Sequence, residues 1–305
     1  MKTKTWELLS DPWSLTKLEE DKVSVKTSNS VSTLNYTLDS LDFLARDHEI
    51  RQRIKEKWLE AYQKNPKLTP GLKYRLDSDP KLIFSSPELR REREKYGEPD
   101  PIEGLNLILG ITDYGVFVAT NSAAKENHDF AKYLMENGRK FYNNEFAYFA
   151  SPIGNCAIVE SSDNKIALIK RADGMHEYPG FYDTPGGHAN PSKHSSDSKG
   201  QFDAIKDEVS EEIKIPRESI EEAYLIGIMV NLENFRKPDL LFYLKTGLSS
   251  EKMDPNEEVS RLEKLTRDEL FENWRKGTYN IVPPSEALLF SYFSLQKNYD
   301  LSFVK

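Results

Sequence analysis

Tyr182-Asp183-Thr184-Pro185-Gly186-Gly187-His188, a polar loop, and then Gln201-Phe202-Asp203-Ala204-Ile205-Lys206-Asp207-Glu208-Val209-Ser210-Glu211-Glu212-Ile213 form the stretch that decides the fold. The first part reads as a short strand entering a glycine turn, the second as an amphipathic helix. Phe202, Ile205, Val209 and Ile213 make one apolar stripe, and Pro216 ends the helix. Glu208, Glu211 and Glu212 stand at i, i+3 and i+4, so they share another face. Three like charges repel there unless something cationic sits among them. Clustered hard oxygen ligands are what Mg²⁺ or Mn²⁺ takes. Gly186-Gly187 lets backbone approach a ligand closely, so a carbonyl there could complete a metal shell. Each feature alone is common on solvated helices and ordinary turns. The combination of strand, Pro-Gly-Gly, loop, acid-lined helix, proline and strand points to a site.

Upstream of this stretch, residues 155–159 and 166–170 read as strands joined by the turn Ser162-Asp163-Asn164-Lys165. Strand-like runs also cover 105–111 and 116–119, with a helix over 123–140. Leu41, Phe43, Leu44, Ile50, Ile54, Trp58, Leu59 and Tyr62 recur at helical spacing over 39–64. The run Arg90-Arg91-Glu92-Arg93-Glu94-Lys95 reads as a solvated helix end or loop. Downstream, 223–231, 240–245 and 259–265 read as strands. Helices are expected over 266–276 and 284–295, with Thr266 as N-cap and Pro284 in a first turn. The expected organisation is an N-terminal α+β region over 1–145 and an α/β region over 146–305.

The chain of 305 residues is long enough to bury a real core. Its net charge of −8 disfavours a nucleic-acid partner, which needs a basic face. A small anionic substrate stays compatible, because a bound metal inverts the local charge. The single cysteine, Cys156, lies in an apolar run and permits no intrachain disulfide. It reads as a buried structural thiol in a reducing compartment, the cytoplasm or also the nucleus. No stretch approaches 18 apolar residues, and Met1-Lys2-Thr3-Lys4-Thr5-Trp6-Glu7 lacks the run of a signal peptide. Neither a membrane span nor a leader is expected. The sequence leaves the oligomeric state open.

The deciding stretch resembles a Nudix box, G-x5-E-x7-R-E-U-x-E-E-x-G-U with U aliphatic. Gly187 matches the opening glycine, and Glu208, Val209, Glu211, Glu212 and Ile215 match the second half in spacing. The interval from Gly187 to Glu208 is six residues longer than in the pattern. Lys199 stands at the first Glu position, Asp207 at the Arg and Lys214 at the last Gly. In the family that Glu and Arg form a supporting ion pair; Lys199 and Asp207 would restore it with the charges exchanged. Outside the box, Tyr74-Arg75-Leu76, residues 105–121, Ser151-Pro152-Ile153-Gly154, Asp183-Thr184-Pro185-Gly186-Gly187-His188 and Leu225-Ile226-Gly227-Ile228 are similar to the uridine diphosphate glucose pyrophosphatase branch. The resemblance covers roughly residues 66–275, and a lengthened Ser-rich loop is typical of that branch.

The resemblance implies an α/β Nudix α/β/α sandwich with a mixed sheet, carrying an N-terminal α+β extension. It implies Mg²⁺- or Mn²⁺-dependent hydrolysis of UDP-glucose or UDP-galactose to UMP and hexose 1-phosphate, the nucleotide sugar being a small-molecule partner. Glu208, Glu211, Glu212 and the Gly187 carbonyl are the implied metal ligands. The base is implied to be a late-loop Glu, here Glu258 in preference to Glu257, or else Glu208. Lys170 and Arg171 end a strand and either meet phosphate or are exposed strand-end charges. His188, Tyr74, Arg75 and Asn121 are substrate candidates for which core packing is the competing role. The N-terminal region is the expected cover for base and sugar. Other readings are hydrolysis of another nucleoside diphosphate derivative such as ADP-ribose, or a nucleotide-sugar-binding module without turnover.

Overall fold

The computed structural model describes residues 4–9, 17–27, 37, 48–77, 81–84, 102–175, 177–296 and 298–304. Among them two sheets form. The larger contains β1 (Trp6–Leu8), β6 (Gly154–Glu160), β7 (Lys165–Arg171), β8 (Tyr182–Asp183), β9 (Gly186–His188), β10 (Ile220–Asn231), β11 (Lys237–Thr246) and β12 (Val259–Thr266). Its strand order is β1-β10-β11-β6-β7-β12, with β9 on β6 and β8 on β7. The β11–β6 pair is parallel and the others are antiparallel, so the sheet is mixed. The smaller sheet is built on β5 (Ile102–Asp113), with β2 (Val23–Thr27) parallel along one edge. β3 (Leu72–Leu76) and β4 (Lys81–Phe84) lie antiparallel along the other.

β6 is buried on both faces, and its alternation sorts the core into layers. Ala157 and Val159 face a cluster with Phe202, Ile205 and Val209 of α3 (Ser198–Glu212) and with Leu107 and Leu109 of β5. Cys156 and Ile158 face Leu270, Phe271 and Trp274 of α4 (Arg267–Arg275) and Leu288, Leu289 and Phe293 of α5 (Pro283–Ser294). Helix, sheet and helix therefore stack in three layers. A third cluster joins Ile50 and Ile54 of α1 (His48–Lys64) to Phe130 and Leu134 of α2 (His128–Tyr142). β1 pairs with β10, and the cluster around Ala157 takes in Leu18, Val23 and Tyr74, so both halves of the chain share this core.

Local chemistry accounts for the elements. The hairpin between β6 and β7 turns at Asn164, whose φ is 59°, with Ser161 N–H donating to Lys165 O. Thr266 and Glu269 close a capping box on α4, and Pro283 and Pro284 open α5. Asp197 caps α3 by accepting from Gly200 N–H at 2.8 Å.

Three expectations are corrected. Residues 116–119 are helical: Asp113 accepts from Val116 N–H at 2.7 Å and starts a helical turn, Tyr114–Phe117, followed by a π-turn, Val118–Ser122. A buried run of apolar residues satisfies either secondary structure, and the Asp113 cap decides. The helix over 123–140 breaks at Asn127, whose side chain caps α2 by accepting from Phe130 N–H at 2.9 Å. In α1, Leu59 and Tyr62 are exposed, so the apolar stripe narrows to Ile50, Ile54 and half-buried Trp58. Leu41, Phe43, Leu44 and the run Arg90–Lys95 lie outside the described residues. Among the described residues no helix is long and apolar enough to cross a membrane.

Candidate active site

The Gly-Gly turn and α3 meet at one end of the large sheet. β9 pairs with β6, which seats Gly187 opposite Asn155. Gly187 N–H donates to Asn155 Oδ1 at 2.9 Å. A Cβ on Gly186 would run into the backbone of Asn155 and Cys156, and one on Gly187 would displace the Glu208 carboxylate, so the glycines keep the turn close against β6 and α3. His188 N–H donates to Glu208 Oε1 at 3.3 Å, and Gly186 N–H to Glu212 Oε2 at 2.8 Å. The apolar stripe of α3 fixes its rotation, which aims these two carboxylates at the turn.

A cleft opens there, lined among others by Lys73, Arg171, Glu177, Asp183, His188, Glu208, Glu212, Lys237, Asp239 and Glu258. Burial pushes the Glu208 carboxyl up to about 7. Lys73 and the His188 N–H oppose that shift, whereas the charges of Glu211 and Glu258 add to it. Burial also raises Glu212 well above the carboxylate range; Asp183 and Glu208 add to the rise, and Gly186 N–H and Arg171 oppose it. Among the described residues neither carboxylate has an ion-pair partner within salt-bridge distance. A divalent cation would favour the ionised form of both, and hard oxygens suit Mg²⁺ or Mn²⁺. The donor chemistry therefore fits such an ion. Glu211 lies one turn along on the exposed side of α3. Among the described residues no three His, Cys, Asp or Glu side chains are already gathered as a metal cage.

Of the candidates read from sequence, the cleft brings together Gly187, Glu208, Glu212, His188, Arg171 and Glu258. Glu258 is exposed at the rim, beside the loop after β7, where its carbonyl accepts from Ala172 N–H. Arg171 holds Asp183 at 2.9 Å. Burial drives His188 well below the usual imidazole range, and Lys237, Lys73 and Arg171 reinforce it, so the ring is neutral.

Besides exposed Glu211, four candidates lie outside the cleft lining. Tyr74 is buried and donates through its hydroxyl to His194 O at 2.9 Å, tying down the long loop. Arg75 pairs with Asp77 at 3.1 Å. Asn121 is fully buried, accepting from Ala150 N–H and donating to Asn234 O at 3.0 Å. Lys170 is the register partner of Tyr182 on β8, its ammonium 6.0 Å from that ring. The first three are held by structural hydrogen bonds or ion pairs. Lys170 alternates to the other side of the strand from Arg171, which reaches the cleft.

The expected Lys199–Asp207 pair does not form. Eight residues separate them on one helix, about 12 Å of rise. Asp207 instead meets Arg217 at 2.8 Å and His194 Nε2 at 3.0 Å, and Arg217 also pairs with Asp203. Asn190 N–H donates to His194 Nδ1, so Nε2 carries the proton toward Asp207. This cluster fastens the long loop and the segment after α3 to the residue next to Glu208.

The cleft also contains residues the sequence reading missed: Lys73, Tyr114, Asp183, Glu177, Tyr178, Lys237 and Asp239. Lys237 and Asp239 carried a signal, two charges at i and i+2 within an apolar strand, where they share a face. Lys73 and Tyr114 came from distant strand ends and carried none.

No family model matches the chain. By sequence the chain is similar to Nudix hydrolase 9 of Arabidopsis thaliana, 28% identical over 223 residues that cover 66% of this chain and 64% of that one. The particular relatives include uridine diphosphate glucose pyrophosphatase NUDT22. The mouse protein is 26% identical over 184 residues, 56% of this chain and 58% of its own; the human protein is 28% identical over 194 residues, 59% and 62%. The chain thus spans about three fifths of the curated relatives it matches. Among solved structures, the MutT protein from Methanosarcina mazei Go1 aligns with 48% of this chain and 95% of its own, at a TM-score of 0.36 and 19% identity.

Proposed function

We propose that the protein hydrolyses the diphosphate of UDP-glucose or UDP-galactose, adding water across the P–O–P bond to give UMP and hexose 1-phosphate. The observation that carries this reading is the pair of carboxylates of half-buried Glu208 and buried Glu212, fixed against the Gly186-Gly187 turn with no cation within salt-bridge distance among the described residues. Glu208 and Glu212, with Glu211 and the Gly187 carbonyl, would hold Mg²⁺ or Mn²⁺. When bound, the ion neutralises diphosphate charge and makes a coordinated water more acidic. Arg171 and Lys73 supply positive charge to the phosphates, and neutral His188 offers a hydrogen bond without repelling or neutralising the acidic wall. Glu258 at the rim takes the proton of the attacking water. Lys73 and Tyr114 reach the cleft from before residue 145, which supports a role for the N-terminal region in covering the substrate. Cys156, buried and unpaired, suits a reducing cytoplasmic setting.

The test is a panel of UDP-glucose, UDP-galactose, ADP-ribose, NADH and GDP-mannose with Mg²⁺, products separated by chromatography and Glu212→Gln as the blank. UMP from the UDP-hexoses alone is expected. AMP from ADP-ribose as the main product would reassign the substrate. A raised melting temperature with UDP-glucose and no turnover would make the protein a binding module.

A further inference from the structure

His188 of β9, Gly154 of β6 and Asp239 of β11 are in-register partners on three neighbouring strands. Partners in one row project to the same face of a sheet. Alternation with Cys156, Ile158, Leu241 and Tyr243 puts Gly154 and Asp239 on the face covered by α4 and α5, opposite α3. Gly154 is the small member of the row. A Cβ there would run into Asp239 Oδ1 and stand 3.1 Å from Lys237 Nζ. Glycine thus lets Asp239 lie over the neighbouring strand, where Lys237 meets it at 3.1 Å.

Both members of this pair are buried, Asp239 at 4% and Lys237 at 6% exposure, and both line the cleft. Among the described residues, Asp239 Oδ2 and His188 Nε2 are buried with no hydrogen-bond partner. A buried ion pair is seldom a net stabiliser, and an unsatisfied carboxylate oxygen is a further penalty. Burial pushes the Asp239 carboxyl up to about 6 even though Lys237 draws it down. Folding stability does not account for this arrangement. Glu177 enters the same end of the cleft, held by Asn234 Nδ2 at 3.1 Å. Two carboxylates there disfavour a second phosphate. Acceptors beside a donor suit vicinal hydroxyls, each of which donates once and accepts.

We propose that Asp239, Lys237 and Glu177 form the subsite for the hydroxyl groups of a pyranose carried on the diphosphate. Asp239 Oδ2 and Glu177 accept from hydroxyls, and Lys237 donates to them. The subsite rests on the diphosphate-sugar reading of the cleft and extends it to the sugar end.

The test compares UDP-glucose with the cyclohexyl ester of UDP, which has the same diphosphate and a ring without hydroxyls. Calorimetric binding and UMP release are measured with Mg²⁺ on the full chain, its Asp239→Asn variant and its Glu177→Gln variant. Asp239→Asn is expected to weaken UDP-glucose binding tenfold or more and to leave the cyclohexyl ester within twofold. Glu177→Gln should show the same pattern at about threefold, and it decides the matter if Asp239→Asn does not fold. Equal weakening toward both esters overturns the subsite and leaves the hydrolase reading intact, provided the unaltered chain releases UMP. Equal affinity of the unaltered chain for the two esters overturns it as well. An unaltered chain that neither binds nor cleaves either ester overturns both.

Discussion

The two walls of the cleft carry their charges in opposite ways. On the α3 side half-buried Glu208 and buried Glu212 stand among like charges and accept from backbone N–H groups. On the other side two acids each have a base, Arg171 holding Asp183 at 2.9 Å and Lys237 holding Asp239 at 3.1 Å, while Glu177 is held by the Asn234 amide. Asp183 is satisfied further by Thr184 N–H and by Ser285 Oγ at 2.6 Å. The Arg171–Asp183 pair is finished by folding, whereas beside Lys237 the Asp239 Oδ2 atom stays without a hydrogen bond among the described residues. The α3 wall lacks a cation within salt-bridge distance among the described residues, and the function we propose therefore assigns the metal to that side and orientation to the other.

Substitutions should separate the walls, and the largest effect falls on the unpaired one. Glu212→Gln is expected to lower turnover on the order of a hundredfold or more while the melting temperature holds or rises, because a buried like charge is removed. A melting temperature several degrees lower with turnover retained would make Glu212 a structural residue. Arg171→Met breaks a pair, so it should lower both stability and turnover. About a tenfold rise in KM is expected, with a melting temperature a few degrees lower, read by steady-state kinetics and calorimetry.

The Asp207 cluster gives a third, smaller effect. Arg217→Ala and His194→Ala are each expected to reduce turnover severalfold, and their double variant less than the product of the two, since both act through Asp207. Lys199→Ala should match the unaltered chain; a loss equal to that of Arg217→Ala would return Lys199 to the role its position in the box suggested.

The smallest effect comes from an exposed acid remote from the cleft. Asp163 accepts from Ser250 N–H and Ser250 Oγ, which pulls its carboxyl down to about 2. A pKa below the unfolded value means its contribution is complete above pH 4 and fades as pH falls toward 2. Asp163→Asn is expected to lower the melting temperature by roughly 1–2 °C at pH 7, with the gap closing between pH 4 and pH 2. A gap that is constant with pH would contradict the hydrogen-bond account.

The α3 wall was legible in the sequence because its residues are local. Glu208, Glu212 and the stripe Phe202, Ile205 and Val209 sit within one helix, and the turn that meets them lies just ahead. The hairpin and the later strands were legible for the same reason. The opposite wall was less legible: Lys237 and Asp239 carried only their i, i+2 spacing within a strand, and Lys73 from β3 and Tyr114 from the turn after β5 reach it only through the packing of the two sheets. Tyr74, Arg75 and Asn121 mislead for a related reason, since a polar residue in a family-like segment can equally fasten a loop or fill a core hydrogen bond. The Asp207 cluster was half legible. Asp207 needs a cation, as its place in the box implies, but helical rise puts Lys199 out of reach and the chain supplies Arg217 from beyond the helix end.

Mn²⁺ binding followed by electron paramagnetic resonance tests the central claim most directly, because it needs no substrate. The unaltered chain is expected to bind the ion, and the Glu208→Gln, Glu212→Gln double variant to lose at least two orders of magnitude in affinity while staying folded. Equal binding by the two folded proteins would contradict the account, since the unpaired wall would then not be where the cation sits.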